Sequence, residues 1–454
     1  MSQTPLTGPA QTFAQAERAL LARWPESRLE PSLDRIAALT ELLGEPQRGY
    51  PVVHLTGTNG KTSTSRMIDT LVRATGLRTG RFTSPHVESM TERISLDGEP
   101  LTDEQFLAAY NELAPLATLA DEDATFPLSF FETVVAMAFA TFADAPVDAA
   151  VVEVGMGGTW DATNVADAAV AVITPIAVDH TAYLGSRPVD IAREKAGIIK
   201  PGSTVVCAVQ DDDVAAVVAE RAAEVGAQVV WEGRDFAVTH RVPAVGGQML
   251  RLQGLRAEYD EVFLPLYGAH QAQNAVLALA AVEALLGSEP LEAELVRGAL
   301  EEVTSPGRLE IVRRSPTIVL DAAHNPAGAA AVVDALEDSF TFSPLVGVVG
   351  VMADKDYEAV LATFEPAMAA IVCTRSSSDR SLPPEQLAEV ARGIFGIDRV
   401  YLEPRLDDAL DRAAGLAEQG DVFGEAIGSG GVLVTGSVVT VGDARRMLVR
   451  RGRS

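Results

Sequence analysis

Apolar and polar positions form two regular series along the chain, one on each side of a Ser-Pro-Gly segment at residues 305–307. In the first series, from residue 52 to about residue 209, short β-branched apolar runs alternate with segments of helical spacing. The runs are almost wholly apolar, as in VVHLT (52–56), AAVVEVG (149–155) and STVVCAV (203–209). Continuous apolar strands between helices are typical of a parallel sheet that is covered on both faces.

The pattern changes after this first series. Residues 236–266 contain short alternating segments and paired glycines, which predict β-hairpins. Helical patterns follow, then the linker at Pro306 and Gly307, and then a second alternating series from residue 317 onward. We therefore predict an α/β fold with two domains. Residues 1–305 form a P-loop-type parallel sheet with helices and a small β-hairpin region, and residues 306–454 form a smaller, Rossmann-like, doubly wound domain.

Composition and charge narrow the class of protein. The formal net charge of the 454 residues is −27, which disfavours nucleic acid and anionic membranes as partners. We see no uncharged apolar run long enough for a membrane span and no signal-peptide pattern at the start. Two isolated cysteines, Cys207 and Cys373, do not make a disulfide framework. We expect a cytoplasmic monomer that acts on small molecules.

The segment VVHLTGTNGKTST (residues 52–64) predicts a phosphate-binding loop. A strand comes before the turn and a helix after it, and Gly57 and Gly60 permit backbone angles at which N–H groups point at phosphate oxygens. Lys61 supplies a charge and Thr62 a hydroxyl suited to Mg²⁺. The usual form, GxxxxGK(S/T), has a glycine where Leu55 stands here, so this loop is shorter.

That shorter form, TGTNGKTST, resembles the nucleotide loop of the Mur ligase superfamily and, within it, of the folylpolyglutamate synthase/dihydrofolate synthase family, bacterial bifunctional type. The resemblance implies an ATP-dependent ligase that adds L-glutamate to dihydropteroate or a folate through an acyl phosphate. It also implies that ATP is bound by the phosphate loop, which consists of Gly57, Thr58, Asn59, Gly60, Lys61 and Thr62.

The same resemblance predicts two Mg²⁺ ions. TSPHVESMTERI (residues 83–94) is similar to the family's Ω loop, which implies that Ser84 joins Thr62 at a metal. Glu153, at the end of an apolar strand, is a costly buried carboxylate unless it is paired or metal-bound. The segments DHTAYLG (179–185) and REKAGI (193–198) imply that His180 and a carbamylated Lys195 hold the second ion. The residues alone leave His180 and Lys195 open to purely structural roles.

Family segments beyond residue 268 imply that the second domain completes the ATP site. Asn274, in GAHQAQNAV, matches an asparagine that reaches adenine, and Arg308, in SPGRLEIV, lies at the hinge. LDAAHNPAG supplies Asp321 and His324 where a strand ends and a helix begins, which is the ligand-facing edge of a doubly wound sheet. By this resemblance Lys61, His180, Lys195 and His324 are the catalytic residues.

The folate end is implied by two further segments. WDATN (residues 160–164) places Asp161 and Ala162 in the pterin pocket, and LSFFETV (128–134) supplies Phe131 for stacking. Phe131 fits the core of a helix equally well. The family motif GGRxDATN has an arginine where Thr159 stands here, so no positive charge is carried over to that position.

Three alternatives remain at the level of sequence. Another Mur-type amide ligase, acting on a cell-wall nucleotide-sugar peptide, would need an additional N-terminal domain, for which the residues before the loop leave no room. A nucleotide switch or regulatory ATPase would release phosphate without an amine acceptor, and would give no reason for Lys195, Asp321 or His324. A folylpolyglutamate synthase that lacks the dihydrofolate synthase activity is also compatible with these motifs.

Overall fold

The computed structural model describes residues 9–25, 30–122, 124–287, 289–419 and 429–451. Within these ranges the strands form three sheets. The first contains β1 (Val52–Thr56), β2 (Thr79–Phe82), β3 (Ile94–Leu96), β4 (Glu99–Pro100), β5 (Ala149–Glu153), β6 (Val170–Ile173), β7 (Thr204–Cys207) and β8 (Gln228–Trp231). The second contains β9 (Ala237–Ala244), β10 (Gly247–Gln253) and β11 (Glu258–Leu264). The third contains β12 (Glu310–Arg314), β13 (Thr317–Leu320), β14 (Phe342–Val349), β15 (Ala370–Cys373), β16 (Val400–Leu402) and β17 (Ser429–Thr435).

Helices cover these sheets. In chain order they are α1 (Phe13–Leu21), α2 (Asp34–Leu42), α3 (Lys61–Ala74), α4 (Asp103–Glu122), α5 (Phe130–Asp144), α6 (Thr181–Leu184), α7 (Pro188–Lys195), α8 (Asp212–Val225), α9 (Ala269–Leu286), α10 (Ala293–Glu301), α11 (Pro326–Ser339), α12 (Tyr357–Phe364), α13 (Pro384–Phe395), α14 (Leu406–Glu418) and α15 (Val438–Arg451).

The first sheet has the strand order β4-β3-β2-β5-β1-β6-β7-β8 and is parallel from β2 to β8. The central strand β1 is buried along its whole length because helices lie on both faces of the sheet. Val53 and Leu55 pack into the core that also contains α3 and α9, and Val52 packs into the core that contains α5. The predicted parallel sheet is confirmed.

The hairpin region is also confirmed. Strands β9, β10 and β11 form an antiparallel sheet in the order β11-β10-β9. Helix α9 is apolar almost all round and packs in the same core as this sheet and α3. Its first turns therefore lie beside the phosphate loop.

The third sheet has the order β12-β13-β17-β14-β15-β16, with β12 antiparallel to β13 and the other strands parallel. Cores lie on both faces, as predicted for a smaller doubly wound domain. The proposed boundary between residues 305 and 306 falls between α10 and β12.

One strand is shorter than its apolar run. The pattern AAVAVITPIAV extends from residue 168 to residue 178, but β6 ends at Ile173. The chain then turns, and the carbonyl of Pro175 accepts hydrogen bonds from the amides of Thr58 and Asn59 at 2.9 and 3.4 Å. The apolar composition of the segment does not predict this turn. The turn supports the phosphate loop.

Candidate active site

The phosphate loop connects β1 to α3 and requires glycine at two positions. Gly57 and Gly60 have φ values of +145° and +90°. A Cβ atom would lie 1.8 Å from Thr174 Oγ1 at Gly57 and 2.5 Å from Asn274 Oδ1 at Gly60. The second contact places Asn274, from α9, directly against the loop, as the predicted nucleotide site requires.

Two amides of the loop are already used by the protein. Thr58 and Asn59 donate to Pro175, and the Thr58 hydroxyl also donates to Ala177 O at 2.8 Å. The phosphate-binding amides are therefore expected at the first turn of α3, where a helix has N–H groups without intrahelical partners and the positive end of its dipole. This is later in the loop than the glycine pattern alone indicated.

Both predicted active-site lysines converge on the loop. Lys61 Nζ donates to Gly57 O at 2.9 Å, and Lys195 Nζ donates to the same oxygen at 2.8 Å. Lys195 is 4% exposed. Burial, together with the positive charge of Lys61, lowers the pKa of Lys195 to about 7. A large fraction of Lys195 is therefore a neutral amine at neutral pH.

Three of the predicted metal ligands meet at the edge of the sheet. Thr62 Oγ1 lies 2.9 and 3.1 Å from the two carboxylate oxygens of Glu153, and the backbone of Ser84 lies close enough to the same carboxylate to affect its pKa. Because β1 and β5 are parallel neighbours, Leu55 pairs with Glu153 and both strands end beside the loop. Burial raises the pKa of Glu153. A convergent hydroxyl and carboxylate are the oxygen ligands that Mg²⁺ prefers.

The ligands of the predicted second metal site do not converge as those of the first site do. His180 adopts a left-handed conformation, with φ +53°, just before α6. Burial and the nearby charge of Lys355 lower its pKa to about 4, so its imidazole is neutral at pH 7. Among the described residues no three His, Cys, Asp or Glu side chains form a group that could hold a metal ion. Any such site would depend on oxygen atoms supplied by a modified Lys195 or by substrate.

An aspartate that sequence reasoning missed joins the two domains. Asp179 precedes His180, and Lys355 Nζ lies 2.5 Å from its Oδ1. Asn325 Nδ2 donates to Asp179 Oδ2 at 3.0 Å, and His324 Nε2 lies 3.6 Å from the same oxygen. Burial would raise the pKa of Asp179, but His324 and Lys355 hold it well below its usual range. The sequence segments DHT, HNP and ADKDY contain the four residues of this contact. Their spacing along the chain does not indicate that they meet.

The second domain also approaches the loop through two amides. The side chains of Asn59 and Asn325 hydrogen bond to each other at 3.1 and 3.3 Å, and Asn325 caps α11. His324 Nδ1 lies 2.9 Å from Ala322 O, so Nδ1 carries the proton that it donates. The predicted catalytic His324 is thus brought to the phosphate loop.

The hinge residues are brought together at the same cleft. Asp321 accepts from the amides of Leu309 and Ala323 at 2.9 and 2.8 Å, which fixes the chain just after the hinge. Arg308 donates to Gly307 O at 3.1 Å; burial raises the pKa of both Asp321 and Glu153, and the nearby positive charge of Arg308 partly opposes each rise. Arg308 therefore lies between the two domains, as predicted for a residue that contacts ATP.

The predicted folate residues lie on the other side of β5. The Asp161 carboxylate accepts from the amides of Met156 and Thr163 at 2.9 and 3.0 Å and from the Thr163 hydroxyl at 2.5 Å, so it shapes the loop that contains buried Ala162. Burial raises the pKa of Asp161 to about 6. The half-buried ring of Phe131 lies against Gly155, where a Cβ atom would be 2.5 Å from the ring.

Thr159 stands where the family motif has an arginine, and in this structure it has a structural role. Its amide and hydroxyl both donate to Glu194 O at 3.0 Å. The glycine-rich loop is thereby joined to the end of α7, next to Lys195.

Comparisons with known proteins identify the family of the chain. Residues 55–282 match the Mur ligase middle domain, and residues 307–426 match the Mur ligase glutamate ligase domain. The chain is 50% identical over 459 residues to the dihydrofolate synthase/folylpolyglutamate synthase of Mycobacterium tuberculosis, covering 97% of this chain and 94% of the relative.

Solved structures give the same result. The folylpolyglutamate synthase of Mycobacterium tuberculosis complexed with ADP and AMPPCP has a TM-score of 0.92 at 49% identity, covering 96% of this chain and 98% of that chain. The E. coli FolC in complex with DHPP and ADP has a TM-score of 0.86 at 28% identity, covering 99% and 100%. The chain belongs to the dihydrofolate synthase/folylpolyglutamate synthase family of Mur ligases and is an ATP-dependent ligase.

Proposed function

We propose that this ligase adds L-glutamate both to dihydropteroate and to reduced folates, using Mg²⁺ and ATP. The observation that carries the proposal is the convergence of Lys61, Lys195 and Glu153 at the start of α3, opposite His324 of the second domain. The complexes of relatives with ADP, AMPPCP and DHPP support nucleotide and pterin-type ligands for the same cleft.

ATP would lie between the domains. Its phosphates would bind the first turn of α3 and the Lys61 ammonium, while Asn274 and Arg308 would contact the nucleoside end. The chain carries a net charge of −27, so an anionic ligand requires a local source of positive charge. Lys61, Arg308 and the helix dipole supply it.

The donor set beside the loop fits Mg²⁺. Thr62, Ser84 and Glu153 would hold one ion, and Glu153, His180 and a carbamylated Lys195 would hold a second. Bound there, Mg²⁺ would offset negative charge on the phosphoryl group as it is transferred. The neutral state of His180 and the lowered pKa of Lys195 support these roles.

The reaction would proceed in two steps. The acceptor carboxylate attacks the γ-phosphorus, the bond to the β–γ bridging oxygen breaks, and ADP leaves an acyl phosphate behind. The glutamate amine then attacks the acyl carbon, and inorganic phosphate departs as the amide forms. Lys61 would stabilise charge in the first step, and closure of the two domains would exclude water from the acyl phosphate.

The acceptor would enter beside β5. Phe131 lies against the glycine-rich turn after this strand, and Asp161 and Ala162 form the adjoining loop, so the pterin ring would stack near Phe131. Because both acceptors carry a pterin and a carboxylate, one pocket can serve both, which is the reason for proposing two activities rather than folylpolyglutamate synthesis alone.

We also propose a cytoplasmic, monomeric enzyme. Cys207 and Cys373 are buried free thiols, which suits a reducing compartment. Across the described ranges no helix is long and apolar enough to cross a membrane. Analytical ultracentrifugation would test the monomer directly.

One assay tests the activity. ADP release is measured with dihydropteroate and L-glutamate together and with each omitted, and the series is repeated with tetrahydrofolate. The proposal requires ADP release that depends on both substrates, with both acceptors. Activity with tetrahydrofolate alone would leave a folylpolyglutamate synthase, and release that is indifferent to both would contradict the ligase assignment.

A further inference from the structure

The Ω loop, residues 83–94, is rigid within itself. Its ends meet where the amide of Thr83 donates to Arg93 O at 3.0 Å. In its middle, the Glu92 carboxylate accepts from the three consecutive amides of residues 87–89 at 2.9, 2.9 and 2.8 Å. The loop can therefore be displaced as a unit by whatever contacts its tip.

The last helix of the second domain contacts that tip at backbone distance. A Cβ atom at Gly442, in the first turns of α15, would lie 1.9 Å from the carbonyl oxygen of Val87. Any side chain at position 442 must therefore move either the helix or the Ω loop. Glycine here permits an approach that no other residue permits.

Charged side chains also join α15 to the tip of the Ω loop. Arg445 pairs with Glu88 of the Ω loop at 2.5 Å and with both carboxylate oxygens of Glu310 at 3.0 Å. Arg446 donates to the backbone carbonyl of Glu88 at 2.9 Å. Glu310 also accepts from the amide of Gly307 at 2.9 Å, so a single carboxylate joins the hinge to Arg445.

The Ω loop has a chemical role at its other end. The backbone of Ser84 lies close enough to the Glu153 carboxylate to affect its pKa, and that carboxylate accepts from the Thr62 hydroxyl at 2.9 Å. A change in the position of the Ω loop therefore changes the positions of the Glu153 and Thr62 oxygen atoms beside the phosphate loop. Hydrogen bonds therefore run from the hinge through Glu310 and Arg445 to Glu88 of the Ω loop, and the other end of the same loop lies beside Glu153.

We propose that Gly442, Arg445 and Arg446 are positioning residues, which hold the Ω loop so that Ser84 and Glu153 are correctly placed for phosphoryl transfer. The proposal rests on the proposed ligase reaction. None of the three residues needs to touch substrate. Through these residues, the position of the Ω loop in the first domain depends on how α15, the last helix of the second domain, packs against it.

A plain docking role makes different predictions. If α15 only adds contact area between the domains, its variants should lower thermal stability and leave kcat and the Mg²⁺ requirement unchanged. A positioning role predicts a lower kcat, a higher Mg²⁺ concentration at half-maximal rate, and little change in nucleotide affinity, because the phosphate loop itself is supported by Pro175 and not by α15.

The test compares Gly442→Ala with Gly393→Ala. Gly393 is a helical glycine of the same domain, in α13, and a Cβ there meets nothing within 4 Å. Because the Cβ added in Gly442→Ala must displace backbone atoms of the Ω loop or of α15, we expect kcat to fall on the order of 10- to 100-fold. Gly393→Ala should match the parent enzyme. Equal kcat and Mg²⁺ dependence in Gly442→Ala and the parent would overturn the proposal.

Hydrogen exchange keeps the test independent of turnover. The amide of Ser84, at the Glu153 end of the loop, should exchange on the order of tenfold faster in Gly442→Ala, whereas the amides of residues 87–89, held by Glu92 within the loop, and peptides covering β1 should not change. If Gly442→Ala does not fold, Arg446→Met and Glu88→Gln are measured in its place, with the same expected and opposing results. An inactive parent enzyme would reject the proposed reaction, whereas the positioning of the Ω loop would still be tested by comparing exchange rates in Gly442→Ala and the parent.

Discussion

Lys61 and Lys195 donate to the same backbone oxygen, that of Gly57, at 2.9 and 2.8 Å. Two ammonium groups sharing one acceptor repel each other, and burial removes the water that would screen them. The pKa of Lys195 is accordingly lowered to about 7, while burial also lowers that of Lys61. Lys195 is therefore suited to reaction as a free amine.

Lys61→Ala should remove phosphoryl transfer while leaving the fold intact. The loss of one preorganised charge in such a site costs on the order of 10²-fold or more in rate. Steady-state ADP release measures the effect, and the thermal unfolding midpoint serves as the control for folding. Near-normal turnover in this variant would mean that phosphate binds elsewhere.

Lys195 should carry a carbamate in the resting enzyme. Carbon dioxide reacts with the neutral amine, so at fixed CO₂ the modified fraction should rise as pH increases through the pKa of about 7. Equilibration with ¹³CO₂ should give a carbamate ¹³C signal that is absent from Lys195→Ala. That variant should lose most activity and regain part of it with added short carboxylates. Full activity in Lys195→Ala, together with the lack of a carbamate ¹³C signal in the parent enzyme, would refute the carbamate.

Asp179→Ala should weaken the association of the two domains. The side chains of Asp179 and Lys355 are 7% and 11% exposed, and removing one partner of a buried pair costs roughly 3–5 kcal/mol because the other charge is left unpaired. Urea unfolding of the single variant is compared with Asp179→Ala/Lys355→Met, which removes both charges. We expect the double variant to recover part of the loss, and a single variant as stable as the parent would argue against the pair.

Phe131→Ala should affect the acceptor and not the nucleotide. The ring lies against Gly155 and edge-on to Phe82, with ring centroids 5.8 Å apart, so truncation opens the wall of the proposed pterin pocket. The KM for dihydropteroate should rise on the order of tenfold, which is the value of a lost aromatic contact of about 1.4 kcal/mol. The KM for ATP should stay unchanged. Equal changes in both constants would indicate a general loss of packing instead.

Local sequence determined most of the architecture. Continuous apolar runs between helical segments produce buried parallel strands, because such runs cannot face water on either side, and both doubly wound sheets follow from that pattern. The phosphate loop was also predictable, since Gly57 and Gly60 occupy backbone angles closed to other residues. These features depend on residues close together in the chain.

Packing of the two domains decided which distant groups meet. The pairing of Asp179 with Lys355 spans 176 positions, and that of Glu88 with Arg445 spans 357. No periodicity or motif encodes such a pair, because each partner is an ordinary polar residue until the two domains pack. The same holds for the pKa of Lys195, which depends on burial and on the neighbouring Lys61 rather than on the residues beside it in sequence. Residues near one another in the chain therefore specify the strands, the loop and the chemical groups, whereas contacts between distant segments select the partners of those groups and their protonation.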